Sequence, residues 1–94
     1  MTGKERAALR RMANTIQPIF QIGKGGVGEA MLEQLGMALD ARELIKITVL
    51  ETADVTAREA CDILCQALGA EPVQCIGRKV TIYRRNEKES KIQL

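Results

Sequence analysis

The feature that most constrains the fold is a glycine-rich run, Gly23-Lys24-Gly25-Gly26-Val27-Gly28, between two apolar segments of different periodicity. The preceding residues 19–22 are a short β-rich run, whereas apolar residues recur at helical spacing over 29–39. Four glycines in six residues therefore mark a strand-to-helix connection. Such a connection needs positive φ angles, or it allows a ligand to approach the backbone closely.

Two capping boxes predict where further helices begin. Thr2-Gly3-Lys4-Glu5 and Thr56-Ala57-Arg58-Glu59 each place a carboxylate three residues after a threonine hydroxyl. The first of these helices should end near Thr15 or Ile16, because Pro18 cannot continue it and restricts the residue before it. The other should end at Gly69, since glycine readily adopts the left-handed conformation of a helix terminus.

The remaining apolar segments predict three more strands. Residues 43–51 alternate in part between apolar and polar side chains, as in a half-buried strand. Residues 73–76 and 80–83 are separated by Gly77-Arg78-Lys79, which is typical of a hairpin. The order α-β-α-β-α-β-β predicts a small two-layer α/β domain with three helices and a mixed four-stranded sheet.

The length of the chain bounds its organisation. Its 94 residues suffice for one domain, which we expect to span residues 1–94. No apolar run approaches the ~18 residues of a membrane-spanning helix, and the charged start is followed by no apolar signal core. We therefore expect a cytoplasmic protein without membrane contact, and we favour a monomer.

The absence of histidine removes the commonest general base and the commonest metal ligand. The three cysteines, Cys61, Cys65 and Cys75, are odd in number and form no CxxC pair. We expect them to be small buried apolar residues. The sequence thus predicts a protein that is not an enzyme and holds neither a metal nor another cofactor.

Charge is strongly segregated along the chain, although the net charge is only +2. Residues 1–28 carry five basic and one acidic residue, and residues 77–94 carry six basic and two acidic residues. The middle, residues 29–76, carries nine acidic and three basic residues. The two basic ends would form one basic surface if they meet in space.

The glycine-rich run matches one nucleotide-binding pattern and fails another. Gly23, Gly25 and Gly28 satisfy GxGxxG, and Glu51 lies near the position of a ribose contact. A dinucleotide fold, however, needs more strands than 94 residues provide. A phosphate loop of the Walker type is excluded, because Glu29 and Ala30 stand where lysine and a hydroxyl residue are required.

A third interpretation uses only Gly23-Lys24-Gly25-Gly26, which we call the glycine loop. It has the GxxG form that clamps a nucleic-acid backbone in KH domains. Glycines allow main-chain N–H groups to reach a phosphate, Lys24 adds a positive charge, and the following helix directs its N-terminus to the same place. The alternative is a plain strand-to-helix turn without a ligand.

Five segments together resemble a known family. They are Leu9-Arg10-Arg11-Met12-Ala13, Pro18–Ile22, the glycine loop, Glu43-Leu44-Ile45-Lys46-Ile47 and Val73–Arg84. In this order and spacing they resemble the CRM domain (chloroplast RNA splicing and ribosome maturation) in its stand-alone bacterial YhbY-type form. The likeness spans about residues 4–88, and it leaves out a polar C-terminal tail after Asn86.

The resemblance implies a compact α/β domain, similar to the C-terminal domain of bacterial initiation factor three. It also implies binding to structured RNA and association with precursors of the large ribosomal subunit. By this likeness Gly23, Lys24, Gly25 and Gly26 form the RNA-contacting loop. Asn14 departs from the pattern, since family members often carry histidine there.

The sequence therefore predicts an RNA-binding protein that acts on pre-ribosomal RNA in ribosome assembly. Four further basic residues, Arg6, Arg10, Arg78 and Lys79, are expected to flank the glycine loop on one face and to contact the RNA. Two alternatives stay open. One is a nucleotide-cofactor domain that uses GxGxxG, and the other is a protein–protein adaptor that docks a basic partner on the acidic middle, residues 29–71.

Overall fold

Capping, apolar spacing and glycine placement together produce the predicted order of elements. The computed structural model describes residues 1–92 and 94. Its elements are α1 (Gly3–Ala13), β1 (Pro18–Ile22), α2 (Glu29–Arg42), β2 (Leu44–Val49), α3 (Ala57–Leu68), β3 (Glu71–Ile76) and β4 (Lys79–Tyr83). Among the residues described, no helix has the length and apolar character needed to span a membrane.

Both predicted capping boxes are present, and they begin α1 and α3. The N–H of Glu5 donates to the Thr2 hydroxyl at 3.1 Å, and the corresponding bond of α3 has the same length. Gly69 ends α3 with φ 63°, as predicted. The first helix ends at Ala13, earlier than expected. The Thr15 N–H donates to the Met12 carbonyl at 3.0 Å, an i→i−3 bond that tightens the last turn, and the Thr15 hydroxyl donates to the same carbonyl at 2.8 Å.

The sheet is mixed and four-stranded, with the order β1-β2-β4-β3. Strands β1 and β2 are parallel across the α2 crossover, whereas β4 pairs antiparallel with both β2 and β3. The predicted α/β fold is confirmed. Because the chain returns through the hairpin, β4 is inserted beside β2 and leaves β1 and β3 at opposite edges.

The two faces of the sheet are covered differently. Helices α2 and α3 pack on one face against the apolar positions of β2 and β4, among them Ile45, Ile47 and Ile82. On the other face, which we call the α1 face, a smaller cluster is made by Leu9, Ala13, Leu44, Val73 and Tyr83. The predicted alternation of β2 is confirmed, since Lys46 and Thr48 are half-exposed between buried neighbours.

Helix α2 runs three residues beyond the predicted Leu39 and ends at Arg42. The C-cap residue that follows, Glu43, has φ 66° and is fully buried. The Glu43 carboxylate accepts hydrogen bonds from the N–H groups of Asn86 (2.8 Å), Ile92 (2.9 Å) and Lys91, and from the Ser90 hydroxyl. Residues 86–92, predicted only as a polar tail, are thus tied to the domain. Their one apolar residue, Ile92, packs against the smaller apolar cluster on the α1 face.

All three cysteines are free: Cys61 is buried, and Cys65 and Cys75 are half-buried. A hydrogen bond between the first two thiols, together with burial, raises the pKa of the Cys65 thiol. Within residues 1–92 and 94, no three histidine, cysteine, aspartate or glutamate side chains are grouped to hold a metal ion.

We expect the cysteines to act through packing alone. Changing Cys61 to Ala should cost about 1 kcal/mol of unfolding free energy, because a buried side chain loses contacts. The partly exposed Cys65 and Cys75 should cost less on the same change. Urea denaturation of each variant checks these values, and loss of RNA affinity in a folded variant would contradict a purely structural role.

Candidate nucleic-acid interface

The glycine loop is a β-turn that projects from the carboxyl end of β1. The Gly26 N–H donates to the Gly23 carbonyl at 3.0 Å. Lys24 and Gly25 occupy the two central positions and are exposed. Gly26 follows at the last position with φ 70°, where glycine is favoured. The tip of the turn therefore presents a lysine and an uncovered main chain.

Only one glycine of this turn is demanded by the backbone. Gly26 has a left-handed φ, so a side chain there would be strained. Gly25 has no positive φ, and a Cβ built on it would meet no atom within 4 Å. At Gly23 a Cβ would make an ordinary contact, 3.6 Å from Leu50 Cδ1. The fold would accept a side chain at Gly25, and its absence leaves the main chain there open to approach from outside.

Helix α2 begins at Glu29, with two residues between it and the end of the glycine loop. Its N-cap is Gly28, which provides no side-chain cap, so the first-turn N–H groups lack a capping oxygen from that residue. The positive end of the helix dipole adds to the charge of Lys24, and Glu29 in the first turn offsets part of it.

The hairpin lies at the same end of the sheet as the glycine loop. Its loop is Gly77-Arg78, and Gly77 has the positive φ (60°) that a type II′ turn requires at that position. The Arg78 carbonyl accepts from the Val49 N–H at 2.7 Å, and the next N–H, of Leu50, donates to the Ile22 carbonyl at 2.8 Å. The glycine loop and the hairpin loop therefore lie on either side of the end of β2, with this one strand between them.

The charge of Arg78 is shared with an acidic neighbour. Its guanidinium lies 3.7 Å from the Glu51 carboxylate, and both side chains are largely exposed. Glu51 was the expected ribose contact of a GxGxxG site, but here it faces a cation. Among the described residues only β1 and β2 pair in parallel. The geometry thus does not favour the dinucleotide hypothesis.

A polar row crosses the α1 face beside these loops. Gln21 pairs with Thr48, and Thr48 pairs with Lys79. Lys46 lies on the same face and is the diagonal cross-strand neighbour of Lys79, with the two Cβ atoms within about 8 Å of each other. Lys46 is not among the site residues predicted from the sequence: alternation places it on the polar face of β2, but only strand order reveals Lys79 as its neighbour.

Arg6 and Arg10 are not brought to the glycine loop. The Arg6 guanidinium donates to the Pro72 carbonyl at 2.7 Å, and Arg10 Nε donates to the Val73 carbonyl at 3.4 Å. Both therefore lie along β3, three strand spacings or about 14 Å from β1. The expectation that all four flanking cations surround the loop is wrong for these two, because α1 packs across β3 through Leu9.

The chain offers no aromatic platform for stacking bases. Its aromatic residues are one phenylalanine and one tyrosine. Phe20 packs against the core, and Tyr83 is only 7% exposed. The groups that remain at the glycine loop, main-chain N–H groups and lysine, are suited to contact the phosphate backbone.

Known proteins match this chain over its whole length. The Bacillus subtilis protein named "Probable RNA-binding protein YqeI" is 37% identical over 94 residues, which cover all of this chain and 98% of that protein. A Haemophilus influenzae protein named "RNA-binding protein" is 31% identical over 94 residues, again all of this chain and 94% of the relative. Both relatives are stand-alone bacterial proteins of similar length.

The fold is also similar to a solved structure. The hypothetical protein SAV1595 from Staphylococcus aureus, solved in solution, superposes with a TM-score of 0.82 and is 42% identical. The match covers all of this chain and 98% of that one. Residues 1–84 match the sequence profile of the CRS1 / YhbY (CRM) domain. Because this profile covers most of the chain and the full-length relatives are more than 30% identical, this chain belongs to the CRS1/YhbY (CRM) domain family.

Proposed function

We propose that this protein binds structured RNA through the glycine loop and the cations at the same end of the sheet. The observation that carries the proposal is Gly25, an exposed glycine that neither φ nor packing requires, beside the exposed Lys24. Relatives of the same length are named as RNA-binding proteins, which supports RNA as the partner.

The expected mode of binding is recognition of the phosphate backbone. Main-chain N–H groups at Gly25 and Gly26 can donate to phosphate oxygens, and Lys24, Lys46 and Lys79 supply charge. Since no aromatic side chain is free to stack on a base, affinity should depend on RNA shape more than on sequence. The protein needs no general base for this role, and we propose that it acts without catalysis.

We propose further which RNA this protein binds. By the family resemblance, the target is ribosomal RNA of the large subunit during its assembly in the cytoplasm. Sucrose-gradient fractionation of a cell extract tests this, with detection of the protein in each fraction. Co-sedimentation with particles lighter than the mature large subunit supports the proposal, and recovery only in the soluble fraction contradicts it.

The salt dependence of binding provides the direct test of the mode. If Lys24 and three to five other cations neutralise phosphates, the log–log slope of affinity against salt should be roughly −3 to −5. A duplex RNA should bind more tightly than a single-stranded homopolymer of the same length. A slope near zero, or a preference for one homopolymer over structured RNA, would contradict backbone recognition.

A further inference from the structure

A groove runs along the outer edge of β3, away from the glycine loop. Its volume is about 500 Å³, and three guanidinium groups line it: Arg6 and Arg10 from α1 and Arg58 from α3. The only acidic side chain in its lining is Asp62. We call this the arginine groove. It carries more positive than negative charge, although Arg58 comes from the acidic middle of the sequence.

The guanidinium groups are held in place without being neutralised. Carbonyls of β3 accept from Arg6 at 2.7 Å and from Arg10 at 3.4 Å, which orients both side chains and leaves their charge intact. In the described part of the chain, neither of the two ion pairs involves a residue of this groove. Arg58 is exposed. Several arginines with unshared charge are suited to bind phosphate oxygens.

The free edge of β3 is poorly suited to pair with a peptide strand from another molecule. Pro72 has no N–H to donate, and a bulge breaks the register between Pro72 and Gln74. The carbonyls of Pro72 and Val73 already accept from the arginines. Strand addition depends on a continuous row of free main-chain groups, which this edge lacks. The groups that the groove can offer to a ligand are its guanidinium groups, which bind anions.

We propose that the arginine groove is a second phosphate-binding site for the same RNA, with Arg58 as one of its ligands. The inference rests on the proposed function. The polar row of Gln21, Thr48 and Lys79 leads from the glycine loop toward β3, and Lys79 pairs with Ile76 on that strand. One RNA can thus lie across the open part of the α1 face and be held at both edges, which three strand spacings place about 14 Å apart.

Arg58→Ala tests the proposal, because this side chain is exposed and its loss should leave the fold intact. One lost phosphate contact should reduce affinity for a 24-base-pair RNA duplex roughly 5–10-fold at 0.1 M salt and make the salt slope shallower by about one. Arg42→Ala is the matched control, since it removes the same charge from an exposed position at the end of α2. Equal effects of the two variants would overturn the proposal.

A measurement on the unmodified protein separates this proposal from the proposed function. RNA is titrated while the Nε–H signal of Arg58 and the amide signals of Lys24 and Gly25 are followed by NMR. A change in the chemical shifts of all three signals when RNA is added supports two sites. Movement at the glycine loop alone overturns the second site and leaves the proposed function standing, whereas no movement at the glycine loop contradicts the proposed function itself.

A double variant, Lys24→Ala with Arg58→Ala, shows whether the two sites act on one RNA molecule. Sites this far apart and without shared partners should contribute additively to the binding free energy. The affinity of the double variant should therefore fall by the product of the two single effects. If the double variant binds as well as Lys24→Ala alone, Arg58 makes no contact and the proposal is wrong.

Discussion

Gly25→Asp should reduce RNA affinity on the order of 100-fold while leaving the melting temperature within about 3 °C of the original protein. The loss has two causes. The added carboxylate repels the phosphate, and it blocks access to main-chain N–H groups whose charge-assisted bonds contribute roughly 1.5–3 kcal/mol each. The fold should be unaffected, because a Cβ at Gly25 meets no atom within 4 Å. RNA titration and thermal denaturation of the same sample check both values.

Two further variants make the result interpretable. Gln34→Glu adds the same charge on an exposed part of α2, and it should change affinity by no more than about twofold. Gly26→Asp should also weaken binding, but it should lower the melting temperature, because Gly26 has φ 70°. Unchanged affinity in folded Gly25→Asp would show that the loop is only a turn.

Glu43→Gln should lower the free energy of unfolding by about 2 kcal/mol, which corresponds to roughly 10 °C in melting temperature. The carboxylate accepts from three main-chain N–H groups and the Ser90 hydroxyl, whereas an amide offers one oxygen and turns an NH₂ group toward the donors. Release of the tail limits the loss, since the freed N–H groups can bind water. Thermal and urea denaturation measure it.

The control for this prediction is a chain that ends at Arg85. It should be destabilised about as much as Glu43→Gln, and adding Glu43→Gln to it should have little further effect, because the donors are already absent. RNA affinity should be unchanged in the folded Glu43→Gln protein, since Glu43 precedes β2 at the end of the sheet opposite the glycine loop. Full additivity of the two changes would contradict the assigned role of Glu43.

The same contacts predict a pH dependence of stability. Burial raises the pKa of Glu43, but the hydrogen bonds from the tail outweigh burial, so that its pKa lies below the usual 4.5. A lowered pKa in the folded state means that the unfolded chain binds more protons in acid. The stabilisation should be complete above about pH 4.5 and should be lost as the pH falls through the lowered pKa. Glu43→Gln should show a flatter stability profile in that range.

Local chemistry made most of the fold predictable. The capping boxes at Thr2 and Thr56 identify helix starts through bonds within four residues, and Gly69 and Gly77 lie where positive φ is needed. The alternation of β2 identifies its buried face. The tail contact of Glu43 could not be predicted, because it joins residues more than 40 positions apart.

The candidate site, too, could be predicted from the sequence only in part. The glycine loop could be predicted from the sequence alone, since a turn and its exposed Lys24 depend on a few consecutive residues. Which cations lie near that loop depends instead on how the strands are arranged in the sheet. Strand order places Lys79 at its end of the sheet, with Lys46 farther along the same face, and it places Arg6 and Arg10 with Arg58 at the far edge. Proximity between distant segments depends on how β4 is inserted between β2 and β3, a choice made by packing of the whole core and by no local pattern.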